Sequence, residues 1–176
     1  DADSKLQCKA IIAMGRPEYL DFGKAWMMEL AQGAEPSFVE PALTALYLMR
    51  DPDLGGFLER LTRSKQPTVV ANAALFLGYH GAPQSLKVAA SLLEHNHLEV
   101  RRNAYLGLRS TAQGPSVGVM LKLTKDFSLD LRALALLDLL AMRHPQVFAK
   151  ARLGADSSSR RTQLFSEAVL TVLTTS

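Results

Sequence analysis

A chain of 176 residues with 48% apolar and 21% charged residues fits one domain or a short solenoid, and excludes a disordered polymer. No apolar run reaches the roughly 18–20 residues needed to span a bilayer, since 131–142 is broken by Arg132 and Asp138. The single cysteine excludes an internal disulfide and zinc-ribbon chemistry, and a net charge of +3 permits an acidic partner without demanding one.

Aromatics make up only 7%, while Ala and Leu are abundant, which favours helix over sheet. The polar start Asp1-Ala2-Asp3-Ser4-Lys5 is not a signal peptide and lacks an initiator Met. The expectation is a soluble chain, either processed or excised from a longer one, with no compartment indicated. Residues 1–66 carry 8 Lys+Arg against 10 Asp+Glu, and residues 67–176 carry 12 against 7, so the positive charge gathers in the later part.

The first unit, near 4–33, sets Cys8 in an apolar helix with Leu6, Ile11 and Ile12. That favours a partly buried structural thiol over a reactive one activated by Lys9. The break Gly15-Arg16-Pro17 comes early, so this first helix is expected to be short, as a terminal cap can be. Its second helix carries Trp26 and Leu30. The second unit, near 36–64, opens on Pro36 and places Phe38, Ala42 and Leu46 on one helical face. The turn Arg50-Asp51-Pro52-Asp53 leads to a second helix with Phe57 and Leu61.

The third unit, near 67–95, repeats this with Pro67, then Val69, Ala73 and Leu77, the turn His80-Gly81-Ala82-Pro83, then Val88 and Leu92. The fourth, near 98–126, has Leu98, then Val100, Ala104 and Leu108, the turn Gln113-Gly114-Pro115, then Val119 and Leu123. The fifth, near 129–153, has Leu131, Ala135 and Leu139 before Arg143-His144-Pro145. A linker at 154–159 precedes a last helix near 160–174, with Ser158 or Ser159 as its cap.

Every one of these columns advances by 31 residues. A hairpin of this kind cannot bury its apolar face alone, and stacked neighbours make a continuous core. The pattern therefore predicts an all-α fold: a right-handed α-solenoid (α-α superhelix) of about five helical hairpins plus a C-terminal helix, one domain over 1–176. Trp26 shares its column with Phe57, Val88 and Val119 and is expected in the core.

The run Leu98-Glu99-Val100-Arg101-Arg102-Asn103-Ala104-Tyr105-Leu106-Gly107-Leu108 resembles the first helix of a HEAT repeat of the short, phycobilisome-lyase-like subtype. Asp130-Leu131-Arg132-Ala133-Leu134-Ala135 repeats it, while Val39 and Val70 replace the Arg in the second and third units. The resemblance implies a scaffold or binding surface and brings no catalytic motif; fold by itself does not give function. It also implies a structural role for the ladder Glu99, Arg101, Asp130 and Arg132, the guanidinium of one unit meeting carboxylate or helix-end carbonyls of another. Anion binding is the competing reading of that ladder.

No nucleophile elbow, P-loop or dinucleotide fingerprint occurs. His80, His95, His97 and His144 lie in turns, none four residues from another on a helix, so no metal site is expected and they read as polar surface. No His-Glu pair occurs, so the ligands of the di-iron branch of the HEAT family are missing. Ser157-Ser158-Ser159-Arg160-Arg161 reads as loop and cap. No catalytic residue and no cofactor is expected.

In HEAT-like arrays the second helices usually line the concave face. Three columns point outward there: Glu29, Arg60, Ser91, Lys122; Gln32, Arg63, Glu94, Lys125; and Ala25, Gly56, Lys87, Gly118. The partner-binding candidates are Arg60, Arg63, Lys87, Ser91, Lys122 and Lys125. The competing reading is a solvated face, the default for charged helix positions. A protein partner is expected, an acidic segment or further domains of a longer chain. Nucleic acid is not favoured, because aromatics do not interleave with the cations. The alternatives are a subunit resembling the phycobilin lyases, which needs a tetrapyrrole pocket, and an array like the helical-repeat DNA glycosylases, which needs a strongly basic groove.

Overall fold

Proline suits the first turn of a helix, where its missing N–H has no partner to lose. In the computed structural model, which describes residues 2–33, 35–142 and 144, Pro36 and Pro67 open helices. The described residues form α1 (Ala2–Ala13), α2 (Leu20–Ala31), α3 (Pro36–Leu48), α4 (Leu54–Leu61), α5 (Pro67–His80), α6 (Pro83–Ser91), α7 (Leu98–Arg109), α8 (Val117–Leu123) and α9 (Leu129–Ala141). Short 3-10 turns at Pro17–Tyr19 and Leu92–Glu94 complete the set, and no strand occurs among the described residues. This is an all-α solenoid of helical repeats. The linker near 154–159, the helix near 160–174, Pro145 and most of the fifth turn lie outside the described residues.

The chain groups into two compact units, residues 1–115 and 116–176. In the first, α3, α5 and α7 are the first helices of successive hairpins, and α2, α4 and α6 the second. Two first-helix columns are core: Ala42, Ala73 and Ala104 are fully buried, as are Leu46 and Leu77, while in the third Val69 and Val100 are buried but Phe38 is only half-buried. In the second unit α8 packs on α9, and Leu131, Ala135 and Leu139 hold the same repeat positions, also fully buried. Serine hydroxyls cap both of these helices: Ser116 accepts from the Val119 amide at 3.3 Å and Ser128 from the Leu131 amide at 3.5 Å.

The second-helix stripe is displaced by one residue from its sequence assignment. Met27, Leu58, Ala89 and Met120 are buried, also at 31-residue spacing. The flanking column is uneven: Phe57 is buried, Val88 and Val119 are half-buried, and Trp26 is 45% exposed. Trp26 is therefore not a core residue. Positions one apart on a helix differ by 100°, so two adjacent apolar columns compete for one stripe, and Ala89 concealed the true one by its small size.

α1 is not short. Its twelve residues match the length of α7. What sets this unit apart is Gly15, where a Cβ would lie 2.8 Å from the Cα of Ala45, so the end of α1 closes on α3 backbone to backbone. That contact explains why the leucine column ends on glycine. Inside α3, Pro41 has no N–H to give the Ser37 carbonyl four residues back. The Cys8 thiol donates to that carbonyl at 3.7 Å, which gives the lone cysteine a structural task.

The tightest crossing is α5 on α7. A Cβ on Gly78 would fall 2.1 Å from the Gly107 carbonyl carbon, and one on Gly107 would fall 2.6 Å from the Leu75 carbonyl oxygen. Both glycines are fixed by contact, not by turn geometry. The left-handed turn positions are different: Gly81 (φ 71°) caps α5, and Arg50 (φ 56°) takes the equivalent place after α3.

Candidate functional site

The outward columns of the second helices are exposed. Ala25 and Glu29 on α2, Gly56 and Arg60 on α4, and Lys87 and Ser91 on α6 all face solvent, as do Gln32, Arg63 and Glu94 just beyond the helix ends. Ser91 turns its hydroxyl back on its own helix, donating to the Val88 carbonyl at 2.7 Å. Gly56 faces open space, with Arg60 Nη1 at 3.9 Å from where a Cβ would stand. In the second unit Lys122 and Lys125 are exposed, in and just after α8, with Gly118 likewise open.

One of these cations lies against an aromatic ring, which is itself buried. The Arg60 guanidinium stands 5.7 Å from the Phe57 ring centroid, a cation–π distance. On α2, Phe22 is 67% exposed and stands four residues before Trp26, and Tyr19 leans on Phe22 with centroids 5.4 Å apart. The core assignment of Trp26 hid this patch.

An ion cluster ties α2 to the turn that starts α4. Lys24 Nζ lies 2.8 Å from Asp51 Oδ1 and 3.1 Å from Asp53 Oδ2. Asp51 is buried and also accepts from the Asp53 amide at 3.1 Å. The hydrogen bond to Asp51 raises the Lys24 ammonium above its ordinary value, against the opposing effect of burial. The sequence reading missed this cluster, whose signal was the Asp-Pro-Asp run. His80 is not plain surface but half-buried: its Nδ1 lies 3.0 Å from Ser85 Oγ, and its ring fills the space over Gly55.

The arginine rung repeats in both units. Arg101 Nη1 donates to the carbonyls of His95 at 2.9 Å and Asn96 at 3.0 Å, and Arg132 Nη1 donates to Asp126 at 3.0 Å. His95 and Asp126 are themselves 31 apart. Each guanidinium thus caps carbonyls in the turn before its own helix, while Glu99 and Asp130 stand exposed in the first turns of α7 and α9. There a carboxylate faces the positive helix end. His95 stacks on His97 with centroids 5.5 Å apart.

A separate depression of 780 Å³ opens at the ends of the first helices, between Tyr47, Tyr79, Pro83, Leu86 and Gln113. It is walled by two tyrosines, each 41% exposed, whose centroids are 6.1 Å apart. Its floor at Gly78 follows from the α5–α7 contact. Among the described residues no group of three His, Cys, Asp or Glu is placed to hold a metal ion, and no helix is long and apolar enough to cross a membrane.

Fold and surface together define a helical-repeat protein. A designed armadillo repeat protein, YIII(Dq.V1)4CPAF, solved in complex with the peptide (KR)4, is similar in structure: TM-score 0.56 at 12% identity, covering 94% of this chain and 91% of that one. No protein-family model matches the chain, and no curated protein does.

Proposed function

We propose that this chain is a non-catalytic binding module of the short HEAT type, holding a protein partner along the exposed face of its second helices. The observation that carries this reading is that the second helices of the first unit expose both cations and aromatics: Phe22 and Trp26 on α2, Arg60 and Arg63 at the end of α4, and Lys87 on α6. Trp and Arg are the residue types that dominate binding energy at interfaces, and an exposed aromatic patch calls for a function where scattered leucines do not. Lys122 and Lys125 hold the same repeat positions in the second unit and are proposed to serve likewise. The similar designed repeat protein was solved with a peptide bound, which supports the reading by analogy of fold. The arginine rung at Arg101 and Arg132 supports the HEAT assignment and a structural role for Glu99, Arg101, Asp130 and Arg132.

The test is a quantitative pull-down from the source cells with the wild-type chain, an Arg60→Glu/Arg63→Glu variant and a Lys122→Glu variant. The expected result is a partner retained by the wild type and depleted about tenfold or more by the double charge reversal, as loss of hot-spot contacts would give. An identical partner set for all three chains overturns the choice of face.

A further inference from the structure

The face proposed above is graded along the first unit. Its α2 end is aromatic and acidic: Phe22 and Trp26 are exposed one turn apart, and Glu29 follows on the same side. The next helix is basic, with Arg60 and Arg63 at the end of α4, and α6 adds Lys87 at its middle and Glu94 just beyond its end, all exposed. The ion cluster of Lys24 with Asp51 and Asp53 ties the aromatic helix α2 to the start of the basic helix α4. Arg60 is held over the Phe57 ring at 5.7 Å, and a stacked guanidinium gives up less side-chain freedom on binding.

From this grading we infer the partner's chemistry: an acidic peptide segment with an aromatic or large aliphatic anchor at one end. The inference rests on the reading of this face as a protein-binding surface and adds its ligand class and polarity. The anchor covers Phe22 and Trp26, where the patch is apolar and Glu29 repels a carboxylate. The carboxylates downstream reach Arg60, Arg63 and Lys87, and guanidinium groups bind them bidentately. A basic segment is excluded by those three cations, and a uniformly acidic one leaves the aromatic pair uncovered. The orientation is therefore set, because reversing the segment places its acidic part on Glu29 and its anchor on the arginines.

Trp26 is the only tryptophan in the chain, so it reports directly on the anchor. The probe is a synthetic peptide with Phe-Leu at one end followed by alternating Glu and Gly. Its controls are the same peptide with Lys for Glu, the peptide without Phe-Leu, and a single-stranded oligodeoxynucleotide. The expected result is a saturable blue shift of Trp26 emission with the acidic anchored peptide alone. Its affinity should fall about tenfold between about 50 and 300 mM salt, as screening of several charge pairs requires. Arg60→Glu/Arg63→Glu should weaken it about tenfold or more, and Trp26→Ala, followed by calorimetry, about thirtyfold. Circular dichroism melts of the variants, all at exposed positions, check that they fold.

Tighter binding of the Lys peptide or of the oligonucleotide overturns the proposal, as does acidic-peptide binding indifferent to all three substitutions. If the pull-down depends on Arg60 and Arg63 while the acidic anchored peptide does not bind, the face stands and its assigned ligand class falls. If neither depends on them, both fall.

Discussion

Arg50 and Gly81 occupy one repeat position with opposite suitability. Both have positive φ, 56° and 71°, and both follow the last turn of a first helix. A side chain there meets its own carbonyl, which costs about 1–2 kcal/mol, while glycine gives part of that back as unfolded-chain entropy. Arg50→Gly is therefore expected to stabilise the fold by about 0.5 kcal/mol and raise Tm by about 1–2 °C. Gly81→Arg should lower Tm by at least as much, in the same calorimetric comparison. His95 offers a second residue-scale outcome. Burial pushes its imidazole below the ordinary value near 6.5, helped by His97 and Arg101, so it resists protonation in the fold. As pH falls through 6.5 the unfolded chain takes up that proton first, and folding stability declines with it. Melting between about pH 7.5 and 5.5 should show this loss in the wild type, and His95→Gln should flatten the profile. An unchanged slope in that variant would remove His95 as the cause.

At the scale of the element, α5 and α7 meet with no side chain between them. Gly107→Ala forces a methyl group to 2.6 Å from the Leu75 carbonyl oxygen, and Gly78→Ala brings one to 2.1 Å from backbone. Backbone cannot step aside as a flexible side chain does, so each substitution should cost about 3 kcal/mol or more, measured by urea denaturation. The arginine rung acts at the same scale. Arg101→Met removes a charged donor from two turn carbonyls and should cost about 1.5–3 kcal/mol by the same measurement. Sequence periodicity made the first helices legible down to their opening residues, because Pro36, Pro67, Leu98 and Leu129 recur with the apolar columns. It misassigned Trp26 because two neighbouring columns, 26/57/88/119 and 27/58/89/120, are both apolar, and burial alone separates them. The glycine crossing and the Lys24–Asp51 pair were illegible for another reason. Each joins residues whose meeting depends on how helices cross, which spacing along one helix does not encode. The exposed cations were legible as exposed, since they fall outside both apolar columns and long charged side chains go to solvent by default.

At the scale of the whole molecule, repeat proteins are nearly one-dimensional: each unit is stabilised by its neighbours, so stability varies along the chain. The burial pattern of the first unit says where it should peak. α5 buries eight of its residues and α3 six, and α7 buries five, including Tyr105 with no exposed surface, and is locked to α5 by the Gly78–Gly107 contact. In α1 Ile11 is buried, but Leu6 is 67% exposed and Ile12 36%. Amide hydrogen exchange should therefore be slowest in α5 and α7 and fastest in α1, where opening exposes little apolar surface and costs correspondingly little. Gly107→Ala makes the comparison sharper. It strikes the α5–α7 crossing alone, so protection of both helices should fall together, while α1, already exchanging by local opening, should change least. Equal protection from α1 through α7, lowered uniformly by the substitution, would mean that the unit opens all at once and that the repeat has no mechanical independence. The expected gradient also bears on binding. A partner seated on α2 and α4 holds the less protected end of the unit, so ligand binding should slow exchange most in α2 and leave α5 and α7 nearly unchanged.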